Sequence, residues 1–143
     1  MWACIQAVFE AHGRHRGTDI DAALGFVART QRRRAVLLVV SDFLDPGPWP
    51  DAIARLTRKH EVHAIVVHDP LDSSLRGMGL TEVVDAETGR VQLVDAGRWL
   101  AKESTDQRVR TLLSKGARAV ALSTEDDPYQ VLHRHFQSAG RRR

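Results

Sequence analysis

Residues 34–45 read RAVLLVVSDFLD, and the reading of this stretch decides the fold. Ala35 to Val40 is an unbroken apolar run rich in β-branched side chains. An apolar run without alternation describes a strand covered on both faces, in the middle of a parallel sheet. The run stops at Ser41-Asp42. In open α/β sheets ligands bind outside the carboxyl ends of the strands, so a carboxylate placed there is a candidate site residue. Asp42 is therefore the first candidate.

Outward from this strand, apolar runs alternate with amphipathic ones. Upstream, Trp2 to Ala11 carries Ile5, Val8 and Phe9 at the spacing of one helical face and ends at His12-Gly13. After a polar link, Thr18 precedes Ile20, Ala23, Leu24, Val27 and Ala28, a second helical face. Thr18 is expected to cap that helix, with Asp21 three residues on as the acidic partner. Downstream, Asp45-Pro46-Gly47-Pro48 makes a turn, and a helix over about Trp49 to Lys59 buries Ile53 and Leu56. His60 to His68 is a second apolar strand that ends at Asp69-Pro70. Leu80–Val84 and Arg90–Val94, joined through Glu87-Thr88-Gly89, read as a β-hairpin. Ala96 to Lys115 is a long helical stretch that Ser104-Thr105-Asp106 can break, closed by Gly116. Arg118 to Leu122 is a third short strand, and Ser123-Thr124 is expected to cap a last helix carrying Tyr129, Leu132 and Phe136. The alternation predicts an α/β fold, a three-layer domain over residues 1–137. Its sheet is mostly parallel, with a hairpin insertion at about 80–95 and a basic tail over 138–143.

A chain of 143 residues, 43% hydrophobic and 27% charged, holds enough apolar material for one ordinary core. Its formal charge of +3 is concentrated in two clusters, Arg32-Arg33-Arg34 and Arg141-Arg142-Arg143. No aromatic or glycine pattern of a nucleic-acid module accompanies them, so no nucleic acid is expected. The single cysteine, Cys4, excludes an internal disulfide. No signal-peptide pattern is visible and no apolar segment approaches the roughly 18 residues of a membrane span. The expected compartment is the cytoplasm.

Thr18 opens a helix and Asp42 closes a strand, so both can meet at one sheet edge. A hydroxyl and a carboxylate converging there suit a hard cation such as Mg²⁺. The plainer account is that Thr18 caps its helix and Asp42 its turn. His60, His63 and His68 lie on a strand whose odd and even positions face opposite ways, without an HExxH or Cys-His pairing. His133 and His135, two residues apart, do not share a helix face. Asp69 could lie beside Asp42 as a carboxylate pair for acid–base work, although Asp-Pro also opens turns. No GxSxG, GxxxxGK[ST] or GxGxxG is present.

Several blocks occur in a telling order: Gly17-Thr18-Asp19, Val40-Ser41-Asp42-Phe43-Leu44-Asp45, Asp69-Pro70, Asp85-Ala86-Glu87-Thr88-Gly89 and Leu122-Ser123-Thr124. Together they resemble the C-terminal half of the von Willebrand A-like domain in the bacterial family called domain of unknown function 58, over about Gly17 to Phe136. In von Willebrand A domains the metal-ion-dependent adhesion site combines an Asp-x-Ser-x-Ser loop, a threonine loop and a further aspartate. Thr18 matches the threonine and Asp42 the last aspartate. No stretch has the Asp-x-Ser-x-Ser spacing, Asp72-Ser73-Ser74 included. The resemblance implies a partial site at Thr18 and Asp42 that holds Mg²⁺ weakly. It also implies a non-catalytic protein-interaction module that acts with a MoxR-type AAA+ ATPase in complex assembly or chaperone-like work. The alternative is a small Mg²⁺-dependent hydrolase or phosphotransfer domain using Asp42 and Asp69. In that fold the strand carrying Asp-x-Ser-x-Ser pairs with the one that here is Ala35–Val40. The expectation is thus a partial domain whose first strand is missing, leaving Ala35–Val40 at an edge and open to self-association.

Overall fold

The structure, a computed structural model, describes residues 18–70, 80–84, 90–95 and 104–140, together with the helical Trp2, Gln6 and Glu10. In chain order its elements are helix α1 (Ile20–Thr30), strand β1 (Val36–Ser41), helix α2 (Trp49–Thr57) and strand β2 (Glu61–His68). Strands β3 (Leu80–Val84) and β4 (Val91–Asp95) follow, then helix α3 (Thr105–Ser114), strand β5 (Arg118–Ser123) and helix α4 (Pro128–Gly140). The expected apolar face of Ile5, Val8 and Phe9, the Asp72-Ser73-Ser74 and Asp85–Gly89 stretches, residues 96–103 and the C-terminal arginine triplet lie outside the described residues.

The three apolar runs form one parallel sheet in the order β1-β2-β5, and β3 pairs antiparallel with β4 as the expected hairpin. The middle position belongs to β2, not to β1 as the unbroken apolar run suggested. Strand β2 has a neighbour on each side, and its residues from Val62 to Val66 are all buried. Strand β1 has one described neighbour and alternates: Leu37 and Val39 pack on the core, whereas Val36, Leu38 and Val40 are 61%, 53% and 58% exposed. The run therefore reports a strand suited to burial on both faces, and burial itself depends on what flanks it.

One face of the sheet carries the core. Val62, Ala64 and Val66 of β2 point into it, since alternate strand residues share a face, and meet Ile20 and Leu24 of α1, Ala52, Ile53 and Leu56 of α2 and Leu112 of α3. Ile53 and Leu112 are fully buried, and truncating either to alanine costs about 2–5 kcal/mol. The opposite face carries α4, where His135 and Phe136 meet His63 of β2.

The caps of α1 and α4 differ from expectation, and the break before α3 falls where it was expected. Asp19, not Thr18, is the N-cap of α1: its carboxylate accepts the Ala22 N–H at 2.8 Å. Helix α3 begins where the long helical stretch was expected to break, because Ser104 Oγ accepts the Gln107 N–H and starts a new helix. Before α4, Ser123 and Asp126 close a turn, and Asp127 rather than Ser123-Thr124 takes the Tyr129 N–H at 2.9 Å. Gly116 ends α3 as expected, with φ at +86°, a left-handed conformation that glycine adopts without Cβ strain. No described helix is long and apolar enough to cross a membrane.

Candidate functional site

The carboxyl end of β1 is held by local side-chain hydrogen bonds. Ser41 Oγ accepts the Phe43 N–H at 3.1 Å, and Asp42 Oδ1 accepts the Leu44 N–H at 3.1 Å, two successive side-chain turns that reverse the chain. Between them Phe43 sits at φ +55°, the only described non-glycine residue with positive φ. A bulky side chain in the left-handed region is strained by roughly 1–2 kcal/mol, and such strain clusters at ligand sites and switches. Burial holds it there: Phe43 is 2% exposed, with its ring centroid 5.1 Å from that of Trp49.

Asp45 then joins this rim to α1. Its Oδ2 accepts the Ile20 N–H at 2.6 Å, its Oδ1 accepts the Gly47 N–H at 2.7 Å, and its carbonyl accepts the Trp49 indole N–H at 2.9 Å. A carboxylate against the first turn of a helix also meets the positive end of the helix dipole. The segment bearing Thr18 is thus tethered to the segment bearing Asp42 through Ile20 and Asp45. Thr18 and Asp42 are both exposed. In the sequence Asp45 reads only as a turn residue, and its one signal is an acidic side chain immediately before Pro46-Gly47-Pro48.

Asp69 directly follows β2, the strand adjoining β1, so both strand-end aspartates lie at the same sheet edge. The Arg32-Arg33-Arg34 cluster is exposed in the α1–β1 link. Among the described residues no cluster of three or more His, Cys, Asp or Glu is arranged to hold a metal.

The histidines form a second constellation that spacing alone did not reveal. His63 is 2% exposed, with Nδ1 2.9 Å from His135 Nε2 and Nε2 3.2 Å from Glu61 Oε1. Arg118, its register partner on β5, approaches the same Glu61 oxygen at 3.7 Å. Burial first, then the neighbouring His63 and Arg118, hold the His135 imidazole below its ordinary pKa. His133 turns away and stacks on Tyr129, as two helix positions two apart require. The partner of His63 lies on another element, which is why strand periodicity could not supply it.

Residues 1–118 match the family described as protein of unknown function DUF58. The chain belongs to that family. An uncharacterised protein of Mycobacterium avium is 36% identical over 116 residues, covering 76% of this chain and 69% of that protein. Uncharacterised proteins of Mycobacterium bovis and Mycobacterium tuberculosis are 33% identical over 117 residues, and the chain spans 37% of their length. No solved structure matches the chain significantly. The DUF58 match takes in Thr18, Asp42, Asp45 and His63, and ends at Arg118, before helix α4 with His135.

Proposed function

We propose that this DUF58 chain is a non-catalytic protein-interaction module of von Willebrand A-like type, working in the cytoplasm with a MoxR-type AAA+ ATPase in complex assembly or chaperone-like work. One observation carries the reading. Strand β1 is an edge among the described residues, and Val36, Leu38 and Val40 along it are each more than half exposed. A contiguous exposed apolar row marks an interaction surface, and an edge strand accepts a further strand from a partner through main-chain hydrogen bonds. The occupant is an extended segment of the partner protein laid along β1, apolar at alternate positions so that it continues the row. Copies of this chain compete for the same edge. Leu44, 57% exposed beside Asp42, extends the surface to the sheet's carboxyl rim.

Thr18 and Asp42 serve at that rim as a partial metal-ion-dependent adhesion site. A hydroxyl and a carboxylate match the oxygen preference of Mg²⁺ but fill only part of an octahedral shell, and Asp42 Oδ1 already accepts the Leu44 N–H. Mg²⁺ held there is weak and exchanges with solvent.

Calorimetric titration of the purified chain with the MoxR-type ATPase of the same organism tests the reading. Binding in the range of about 1–10 μM is expected, weakened about tenfold by Leu38→Lys. Absence of heat at about 100 μM partner would refute the pairing with this ATPase. A separate titration giving a micromolar or tighter Mg²⁺ site would overturn the weak-site assignment and favour a Mg²⁺-dependent enzyme.

A further inference from the structure

Helix α4 meets the sheet through contacts that include a histidine pair, one member on each element. Tyr129 is 73% exposed and Phe136 41%, whereas His63, its contact on the central strand, is buried at 2%. The Phe136 ring lies 4.8 Å from that of His63, and the His135 ring meets His63 edge-on at 5.1 Å. Among the described residues, the groups around the pair come from four elements. Strand β2 supplies His63 and Glu61, and β5 supplies Arg118. Helix α3 contributes Leu113 to the adjoining cleft, and α4 itself contributes the Ser138 hydroxyl, which donates to the His135 carbonyl. That cleft, about 470 Å³ and open to water, gives protons access to His135.

The geometry limits the protons this cluster holds. A carboxylate only accepts, so His63 Nε2 carries a hydrogen toward Glu61. His63 Nδ1 then accepts from His135 Nε2–H when both rings are neutral, or donates to it when one extra proton is present. A second extra proton sets two N–H groups against each other across 2.9 Å and two imidazolium charges beside Arg118. We infer that the His63–His135 pair is an acid-sensitive latch, holding α4 on the sheet at neutral pH and letting it go when both rings are protonated.

The docked His135 binds its proton less readily than an undocked one, chiefly through burial. Docking is therefore at full strength above the undocked pKa and is lost as pH falls through it toward the docked value. The latch is independent of the interaction reading, since it concerns only how α4 is held, and α4 lies beyond the residues that match DUF58.

Hydrogen-exchange mass spectrometry on the full chain at about pH 7.5 and about pH 5, corrected for intrinsic exchange, tests the latch across the range in which histidine titrates. Amides of α4 are expected to lose protection about tenfold at the lower pH, equivalent to about 1.4 kcal/mol, the scale of one buried hydrogen bond. Amides of α2 keep theirs, which separates local release from global unfolding. His135→Gln retains a side chain that donates or accepts at every pH without titrating, and its α4 protection is expected to be flat. Wild-type α4 that stays as protected as α2, or a His135→Gln variant with the same acid loss, overturns the latch. Should that variant fail to fold, an NMR titration of the wild-type chain decides: α4 amides that stay as protected after both imidazoles of the pair are protonated overturn it equally.

Discussion

Replacing Asp45 by alanine removes the tie between the β1–α2 loop and the start of α1. In the native chain its two oxygens accept the Ile20 and Gly47 N–H groups at 2.6 and 2.7 Å, both in a half-buried setting. A hydrogen bond to a charged acceptor contributes roughly 1.5–3 kcal/mol, and a carboxylate at a helix N-terminus roughly 0.3–1 kcal/mol more. Water reaches this partly open site and replaces part of both bonds, so the expected loss is about 2–4 kcal/mol, a large share of a total of roughly 5–15 kcal/mol. In a domain of this size about 3 °C of melting temperature accompanies each kcal/mol, so the midpoint falls by roughly 6–12 °C. Asp45→Asn keeps an acceptor without the charge and loses about half as much. Urea unfolding followed by far-ultraviolet circular dichroism measures both, with an unchanged denaturant slope showing that the two-state transition is intact. An alanine variant within about 0.5 kcal/mol of wild type, the range of an ordinary surface substitution, would refute the argument that Asp45 holds the rim together.

Phe43→Ala removes the ring that packs on Trp49 while keeping an unfavourable positive φ, so unfolding free energy drops by about 3–5 kcal/mol. Phe43→Gly relieves the strain and is expected to be no less stable than the alanine variant, a reversal of the usual order that urea unfolding reads directly. Gly116→Ala forces a side chain into φ +86° with its Cβ 3.3 Å from Thr57 Oγ1, and thermal unfolding should show a loss of about 1–2 kcal/mol. The wild-type chain is expected to associate with rising concentration in sedimentation velocity. Leu38→Lys, on the exposed face of the edge strand, is expected to suppress that association at a cost below about 0.5 kcal/mol.

Local chemistry made much of this protein legible from its sequence. Three apolar runs of strand length separated by amphipathic stretches specify parallel strands, because hairpin-length links between them are absent. Gly116 marks a helix end because few other residues tolerate its backbone, and Ser41-Asp42 marks a strand end because it directly follows the apolar run. Order within the sheet was not legible in this way. Ala35–Val40 and Val62–Val67 are almost equally apolar, and only the arrangement of neighbours made β2 central and left one face of β1 in water. The same holds for the candidate sites. Asp45 reaches Ile20 across 25 residues of chain, and His63 finds His135 across 72, distances over which periodicity carries no information. Helical and strand repeats say which residues share a face of one element. Which two faces come together is decided by packing of the whole core, and that is why the rim tether and the histidine pair appear only in the folded chain.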